Sequence, residues 1–214
     1  MADNSSETND LLRLAAAGDS RGWGELLTRH ADRLRRMVAL RLDQRLQGRI
    51  DASDVLQEAY LEAWSRLAEY VRQPTMPFFL WLRFLTGQRL LILHRHHLGR
   101  QMRDAGREIS LYRGALPEAS SAALAAHLLG HDTRPSEAAM RIELKLRLQE
   151  ALNQMDSLDR EVLALRHFEQ LSRAETAQVL GMRESAVSKR YFRALERLKD
   201  ILASMPGGLG EVWP

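Results

Sequence analysis

The 214-residue chain contains no cysteine, which removes disulfides, thiol nucleophiles and thiolate metal sites in one step. It has no apolar run of membrane-spanning length, and its opening, MADNSSETND, is polar and acidic with no apolar stretch behind it; a cytoplasmic protein is expected. Two-residue apolar alternation and hairpin turn signals are also missing, which argues against a β-sheet. Excess charge is small, because 31 Lys and Arg face 28 Asp and Glu and leave a formal +3. Such a balance is compatible with nucleic acid without requiring it, so the placement of the cations decides.

What is present is a mixture of 45% apolar and 28% charged residues, enough apolar material for one large or two small globular domains. Helical spacing runs through most of the chain, so the expected fold is all-α. Two small helical domains are expected, an N-terminal bundle over residues 1–109 and a helix-turn-helix domain over 135–204. A flexible linker, 110–134, joins them and a flexible tail, 205–214, comes last.

The most informative stretch is LSRAETAQVLGMRESAVSKRYFRALERLKDIL, residues 171–202. Ala177, Gly181 and Val187 stand at helix-turn-helix spacing: a small residue where two helices cross, a glycine for the positive φ of the turn, and an apolar residue returning to the core. Ser172 and Glu175 form a capping box at the first helix. On the second helix Val187, Tyr191, Ala194, Leu195, Leu198 and Leu202 recur as an inward stripe, leaving Ser188, Lys189, Arg190, Arg193, Glu196 and Arg197 outside. A helix after such a turn enters the DNA major groove with its N-terminal residues. Arg183, Glu184, Ser185, Ser188 and Lys189 are therefore the candidates for base edges, and Arg190, Arg193 and Arg197 for phosphates.

In the first half, DLLRLAAAG ends on Gly18, and Asp19 or Ser20 caps a second helix whose buried face includes Trp23, Leu26, Leu27, Leu34, Met37 and Val38. The next helix, DASDVLQEAYLEAWSRLAEY, opens on Asp51 with Asp54 at the capping-box position. Its inner stripe is Leu56, Tyr60, Ala63, Trp64 and Leu67. Asp54, Glu58 and Glu62, with Gln57 beside them, make a row suited to docking a basic partner. PFFLWLRFLTGQRLLILHRHHLGRQMRD then interleaves aromatics with cations, the combination that single-stranded nucleic acid uses for stacking and backbone tracking. Trp81, Leu82, Leu85 and Leu93 suit the buried stripe of that helix, so only its exposed members are assigned to DNA. His94, His96 and His97 lack a carboxylate or further histidine at ligand spacing, so no metal site is assigned and they are expected to extend the basic surface. No cofactor is implied. LYRGALPEASSAALAAHLLGHDTRPSE reads as the linker, with one helix around residues 122–129. Helical order returns at Pro135, with Leu144, Leu148, Ala151, Leu152 and Met155 inward, and Ser157 opens the helix before the helix-turn-helix.

This order of features resembles the RNA polymerase sigma-70 family, in particular its extracytoplasmic-function (ECF) branch, which has only the second and fourth domains. DASDVLQEAYLEAW is similar to the polymerase-binding helix, PFFLWLRFLTGQRLLILHR to the promoter-melting helix, and MDSLDREVLALRHFEQLSRAETAQVLGMRESAVSKRYFRALERLK to the fourth domain. The resemblance implies a non-enzymatic subunit that binds core RNA polymerase through Asp54, Gln57 and Glu58. It implies that Trp81, Arg83, Gln88, Arg89 and Arg95 serve recognition and opening of the −10 element, and that the loop with Arg72, Thr75 and Met76 holds flipped nontemplate bases. Residues 183–193 would read duplex −35 DNA, and an anti-sigma factor joins polymerase and promoter DNA among the implied partners. Gln88 stands where the family usually has Asn, Ile92 where Asp is common, and Arg183 where a Ser-like cap is usual. The alternatives are a helix-turn-helix repressor or activator with an N-terminal regulatory or dimerisation domain, and a nucleic-acid enzyme built on the histidines.

Overall fold

A computed structural model of the chain describes residues 3–98, 116–129 and 138–205. The described residues form helices α1 (Asp3–Ala16), α2 (Ser20–Arg41), α3 (Ala52–Arg72), α4 (Phe78–Leu98), α5 (Ser121–Leu128), α6 (Ala138–Gln154), α7 (Ser157–Leu163), α8 (Arg173–Leu180) and α9 (Glu184–Ser204), with a π-helical turn at Ala164–Phe168 between α7 and α8. The all-α expectation holds. None of these helices is long and apolar enough to cross a membrane. Contacts divide the chain into two compact units, Met1–Val38 with Leu42–Leu116, and Ala39–Arg41 with Pro117–Pro214.

The first unit is built from helices whose starts are closed locally. Gly18 turns the chain at φ +93°, and the Asp19 carboxylate then accepts from the Arg21 N–H at 2.9 Å to cap α2. At α3, Asp51 and Asp54 cap each other's backbone reciprocally. Leu26, Leu34, Met37, Leu82, Leu85 and Leu90 are the largest fully buried side chains of this unit. On α3 the inward residues are Val55, Leu56, Ala59, Ala63, Leu67 and Tyr70. Leu56, Ala63 and Leu67 lie inward as expected, but Ala59 takes an inner place, Tyr60 is half-buried and Trp64 turns outward, its ring 5.4 Å from that of Trp23. Two alanines on this face leave room for α4 to lie close, which a tryptophan would block. In α4 a Cβ at Gly87 would meet the Leu116 side chain, so glycine there makes the seat for that leucine.

The second unit buries Leu40, Leu124, Ala125, Leu148, Ala151, Leu152, Met155, Leu163, Ala164, Phe168, Ala194 and Leu198 in one cluster. Part of the stretch read as a linker thus contributes to a core, because Ser120 caps α5 and α5 presents Leu124 and Ala125 inward. Residues 110–115 and 130–134 of that stretch, Pro135 and the tail 206–214 lie outside the described residues. Ser157 opens α7 as expected, and Asp156 caps it, accepting from the N–H groups of Leu158 and Asp159 at 3.0 and 3.3 Å. After α7 the helix widens: the Glu169 N–H donates to the Ala164 carbonyl at 2.9 Å, five residues back. Such an insertion re-aims the residues after it, and here it sends the Glu169 side chain wholly inside, 2.5 Å from Arg41 Nη2. Arg41 also meets Glu161 at 2.6 Å and the Pro117 carbonyl at 2.8 Å. Burial opposes its charge, but the two carboxylates outweigh burial and hold its proton more firmly than usual.

Two stability predictions come from these packed polar groups. Glu169→Ala leaves the buried Arg41 charge short of a partner and should cost roughly 3–5 kcal/mol, read as a lowered midpoint in chemical denaturation. His94, buried in the first unit, accepts from the Asp43 N–H through Nε2 at 3.3 Å, which requires the neutral ring. Burial lowers its pKa below 6.5, opposed by the Asp43 carboxylate. Below that value the unfolded chain binds the proton that the folded chain resists, so this stability is present above about pH 6.5 and falls as pH drops towards the folded pKa. Denaturation across that window should show a smaller loss in His94→Gln than in the wild type.

Candidate nucleic-acid interface

The helix-turn-helix forms as its residues require. Ser172 Oγ accepts from the Glu175 N–H at 3.1 Å while the Glu175 carboxylate accepts from the Ser172 N–H at 2.7 Å. Gly181 ends α8 in the left-handed region, φ 62° and ψ 35°, and the Met182 N–H donates to the Ala177 carbonyl at 2.9 Å. Ala177 and Val187 are buried. Arg183 stands at the N-cap of α9 with no side-chain capping bond, so its guanidinium is not used to close the helix.

Helix α9 buries Val187, Ala194 and Leu198. Arg183, Glu184, Ser185, Lys189, Arg193, Glu196 and Arg197 are exposed, and Ser188 and Arg190 half-buried. Leu195, expected inward, is on the exposed side; the nearly perfect seven-residue repeat of Val187, Ala194 and Ile201 sets the seam, and Leu195 falls beside it. Phe192 is a functional candidate that periodicity does not single out: it is 64% exposed on the same outer arc as Lys189 and Arg193, on the far side of Lys189 from Arg193. An aromatic beside Tyr191 looks like core in the sequence, and only the direction of the helix separates the two. Arg190 and Arg197, assigned to phosphates, are engaged within the protein. Arg190 Nη1 lies 2.6 Å from Asp159 Oδ1 and 3.3 Å from Asp156 Oδ1, and Arg197 Nη1 lies 3.1 Å from Asp159 Oδ2. Lys189 and Arg193 form no ion pair among the described residues.

In the first unit the residues assigned to the −10 element separate into two groups. Trp81 and Arg83 are 8% and 2% exposed: Trp81 is buried as the helical stripe predicts, and the DNA contact that the resemblance implied for both is corrected. The Trp81 ring stacks on Tyr70 at 4.5 Å between centroids and leans on Phe78, and Phe78 and Phe79 are themselves buried. The aromatic half of the supposed stacking platform is therefore core, since α4 carries apolar bulk on nearly every side of its first turns and must be enclosed. Arg72 and Arg95 are exposed, and Gln88 and Arg89 half-buried. Thr75 is exposed and Met76 half-buried in the α3–α4 loop. The Met76 carbonyl accepts from Tyr70 Oη at 2.8 Å, and burial pushes the Tyr70 pKa up to about 12, so this donor stays protonated and ties the loop to the aromatic cluster. Of the three histidines, His94 is buried, which corrects its assignment to the basic surface, while His96 and His97 are exposed side by side. Among the described residues no three His, Asp or Glu side chains gather as a metal site.

The acidic row of α3 is also partly engaged. The Asp54 carboxylate accepts from the Asp51 N–H at 3.1 Å, Glu58 pairs with Arg89 Nε, and Glu62 lies 2.8 Å from Arg66 Nη2. Gln57 is exposed. Beside them stand Leu61, 67% exposed, and Trp64, 41% exposed, an apolar centre to the docking face that the charge pattern alone does not show.

A left-handed glycine between α8 and α9, with cations and a bare aromatic on the outer arc of α9, defines a helix-turn-helix DNA-binding protein. Residues 145–198 match the family described as Sigma-70, region 4. The chain is 30% identical over 195 residues to the RNA polymerase sigma factor CnrH of Cupriavidus metallidurans, covering 90% of this chain and 92% of that one. It is 32% identical over 186 residues to the ECF RNA polymerase sigma factor SigD of Mycobacterium tuberculosis, covering 87% and 79%. In fold it is similar to CnrH in the structure of that protein in complex with the cytosolic domain of CnrY, with a TM-score of 0.55 and 24% identity over 94% of this chain and 99% of that one. The chain belongs to the sigma-70 family, in its ECF branch. Its function is that of a sigma factor, directing RNA polymerase in transcription initiation. A separate repressor or activator is not favoured, because likeness to sigma factors runs through 90% of the chain, and these relatives are not enzymes.

Proposed function

We propose a division of labour between the surfaces of this sigma factor. Helix α9 reads duplex −35 DNA, with Arg183, Glu184, Ser185, Ser188 and Lys189 at base edges, Phe192 against a thymine methyl group and Arg193 on phosphate. The observation that carries this reading is the exposed arc from Ser185 to Arg193, on which Lys189 and Arg193 have no internal ion pair. In the first unit, the α3–α4 loop with Arg72, Thr75 and Met76, and the outer side of α4 with Gln88, Arg89 and Arg95, receive the −10 strand. Trp81 and Arg83 act from beneath by holding α4 and the loop in place. The α3 face with Asp54, Gln57 and Glu58 docks core RNA polymerase, with Leu61 and Trp64 supplying the apolar contact at its centre. The chain performs no catalysis, which belongs to the polymerase, and works in the cytoplasm. CnrH has been seen with the cytosolic domain of CnrY, and we extend to this chain a protein partner of the anti-sigma kind.

Co-elution with core RNA polymerase tests the docking face. The variant combining Asp54→Asn, Gln57→Ala and Glu58→Ala keeps a capping residue at Asp54. It should retain its helicity and lose co-elution; unimpaired co-elution of this folded variant would reject the α3 assignment. Promoter binding by the assembled holoenzyme tests α9. Lys189→Ala should cost about 1–3 kcal/mol of discrimination at one base pair, whereas Arg193→Ala should weaken all sequences similarly and reduce the salt slope by about 1. Equal effects of both substitutions on every −35 sequence would remove the base-reading role of Lys189.

A further inference from the structure

We propose that Asp159, assisted by Asp156, determines specificity in this sigma factor by holding Arg190 and Arg197 away from DNA phosphates, so that α9 engages duplex chiefly through the side chains that face bases. The inference rests on the reading of α9 as the −35 helix. Asp159 occupies the first turn of α7, and its side chain is 8% exposed. It divides its two oxygens between arginines two turns apart on α9: Oδ1 takes Arg190 at 2.6 Å and Oδ2 takes Arg197 at 3.1 Å. Asp156, the α7 cap, reaches Arg190 at 3.3 Å. Both carboxylates stand at a helix N-terminus, where the backbone favours negative charge. Asp156 is held below the usual carboxylate range, first by the Leu158 N–H and then by the Asp159 N–H and Arg190, against the effect of burial. Both carboxylates of this clamp are placed by the first turn of α7.

Arginine contacts to phosphate supply affinity without sequence information, and each adds roughly 0.9 to the slope of log K on log salt. Arg190 and Arg197 lie at the edge of the exposed arc, with side chains 33% and 58% exposed, within reach of a backbone running past α9. Pairing them with carboxylates engages Nη1 of each and places negative charge beside them, which lowers binding to any duplex while leaving Lys189 and Phe192 untouched. Discrimination is the ratio of specific to non-specific binding, so removing two sequence-blind contacts raises it.

The test uses the full chain and a labelled duplex lacking promoter sequence, titrated across a range of KCl. With about 1 M salt as the point where counterion release vanishes, Asp159→Asn should bind roughly 8-fold more tightly at about 0.1 M for each arginine released, with a slope steeper by about 0.9 per arginine. Adding Arg190→Gln and Arg197→Gln should abolish the gain. An unchanged slope or weaker binding by folded Asp159→Asn would overturn the proposal and leave Asp159 as a packing tie. If Asp159→Asn does not fold, the variant with only Arg190→Gln and Arg197→Gln decides. A salt slope within about 0.3 of wild type supports withheld arginines, and a slope shallower by about 1.8 overturns the proposal. Arg193→Ala in the same assay separates the underlying reading. If it leaves binding unaltered, α9 is not the DNA helix; if it weakens binding while Asp159→Asn has no effect, only the clamp fails.

Discussion

The second unit depends on one residue that can adopt a left-handed backbone. Gly181, at φ 62°, ends α8 abruptly enough for the Met182 N–H to return to the Ala177 carbonyl, and three residues later α9 starts in a new direction. An L side chain at this φ costs about 1–2 kcal/mol, and that cost would fall on the angle between the two helices. The angle fixes which side of α9 is buried. With Val187, Ala194 and Leu198 committed inward, Lys189, Phe192 and Arg193 have no interior to enter, so the DNA-facing arc is the remainder after the core has taken its share.

The first unit solves a different problem, that of presenting a loop in a fixed place without a disulfide. It uses an aromatic cluster and one hydroxyl. Tyr70, near the end of α3, stacks on Trp81 of α4 and at the same time donates to the Met76 carbonyl of the loop between them. A buried phenol that lost this acceptor would be an unsatisfied polar group, costing about 1–3 kcal/mol, so the packing of the two helices and the position of the loop are set together. The outward residues Arg72, at the end of α3, and Thr75, in the loop, owe their placement to aromatics that are buried beneath them.

Much of this was legible in the sequence where the physics is local. Both reciprocal capping boxes, Asp51 with Asp54 and Ser172 with Glu175, form as read, because each needs only residues three apart. Gly181 does as well, since a turn of this kind is written in four or five residues. The errors come where burial is decided by a second helix. Trp81 is enclosed as the pattern of α4 suggests, and it is the resemblance, not the pattern, that put it on DNA; Trp64 is the one the pattern misplaces, because two alanines on α3 draw α4 close and turn it out. Glu169 is the extreme case. A charged residue at a helix end looks solvated in any pattern, and only the π turn at Ala164–Phe168, invisible in composition, carries it inward to Arg41.

The same distinction bears on counting cations. A basic helix face reads as a DNA footprint when each arginine is taken to be free, yet here Arg89 is paired with Glu58 and Arg190 and Arg197 with Asp159. None of these pairings has the regular spacing by which helix neighbours are found; each joins different helices. On the proposed reading of α9, what remains to meet duplex is a short row with few phosphate contacts, and few phosphate contacts mean weak binding and low non-specific capture. For a protein that acts as part of polymerase, weak surfaces are an asset. Two of them on one chain act in concert on a promoter whose elements both can reach at once, because the second contact then forms at high effective concentration. Sequence preference is preserved because neither surface holds DNA firmly by itself.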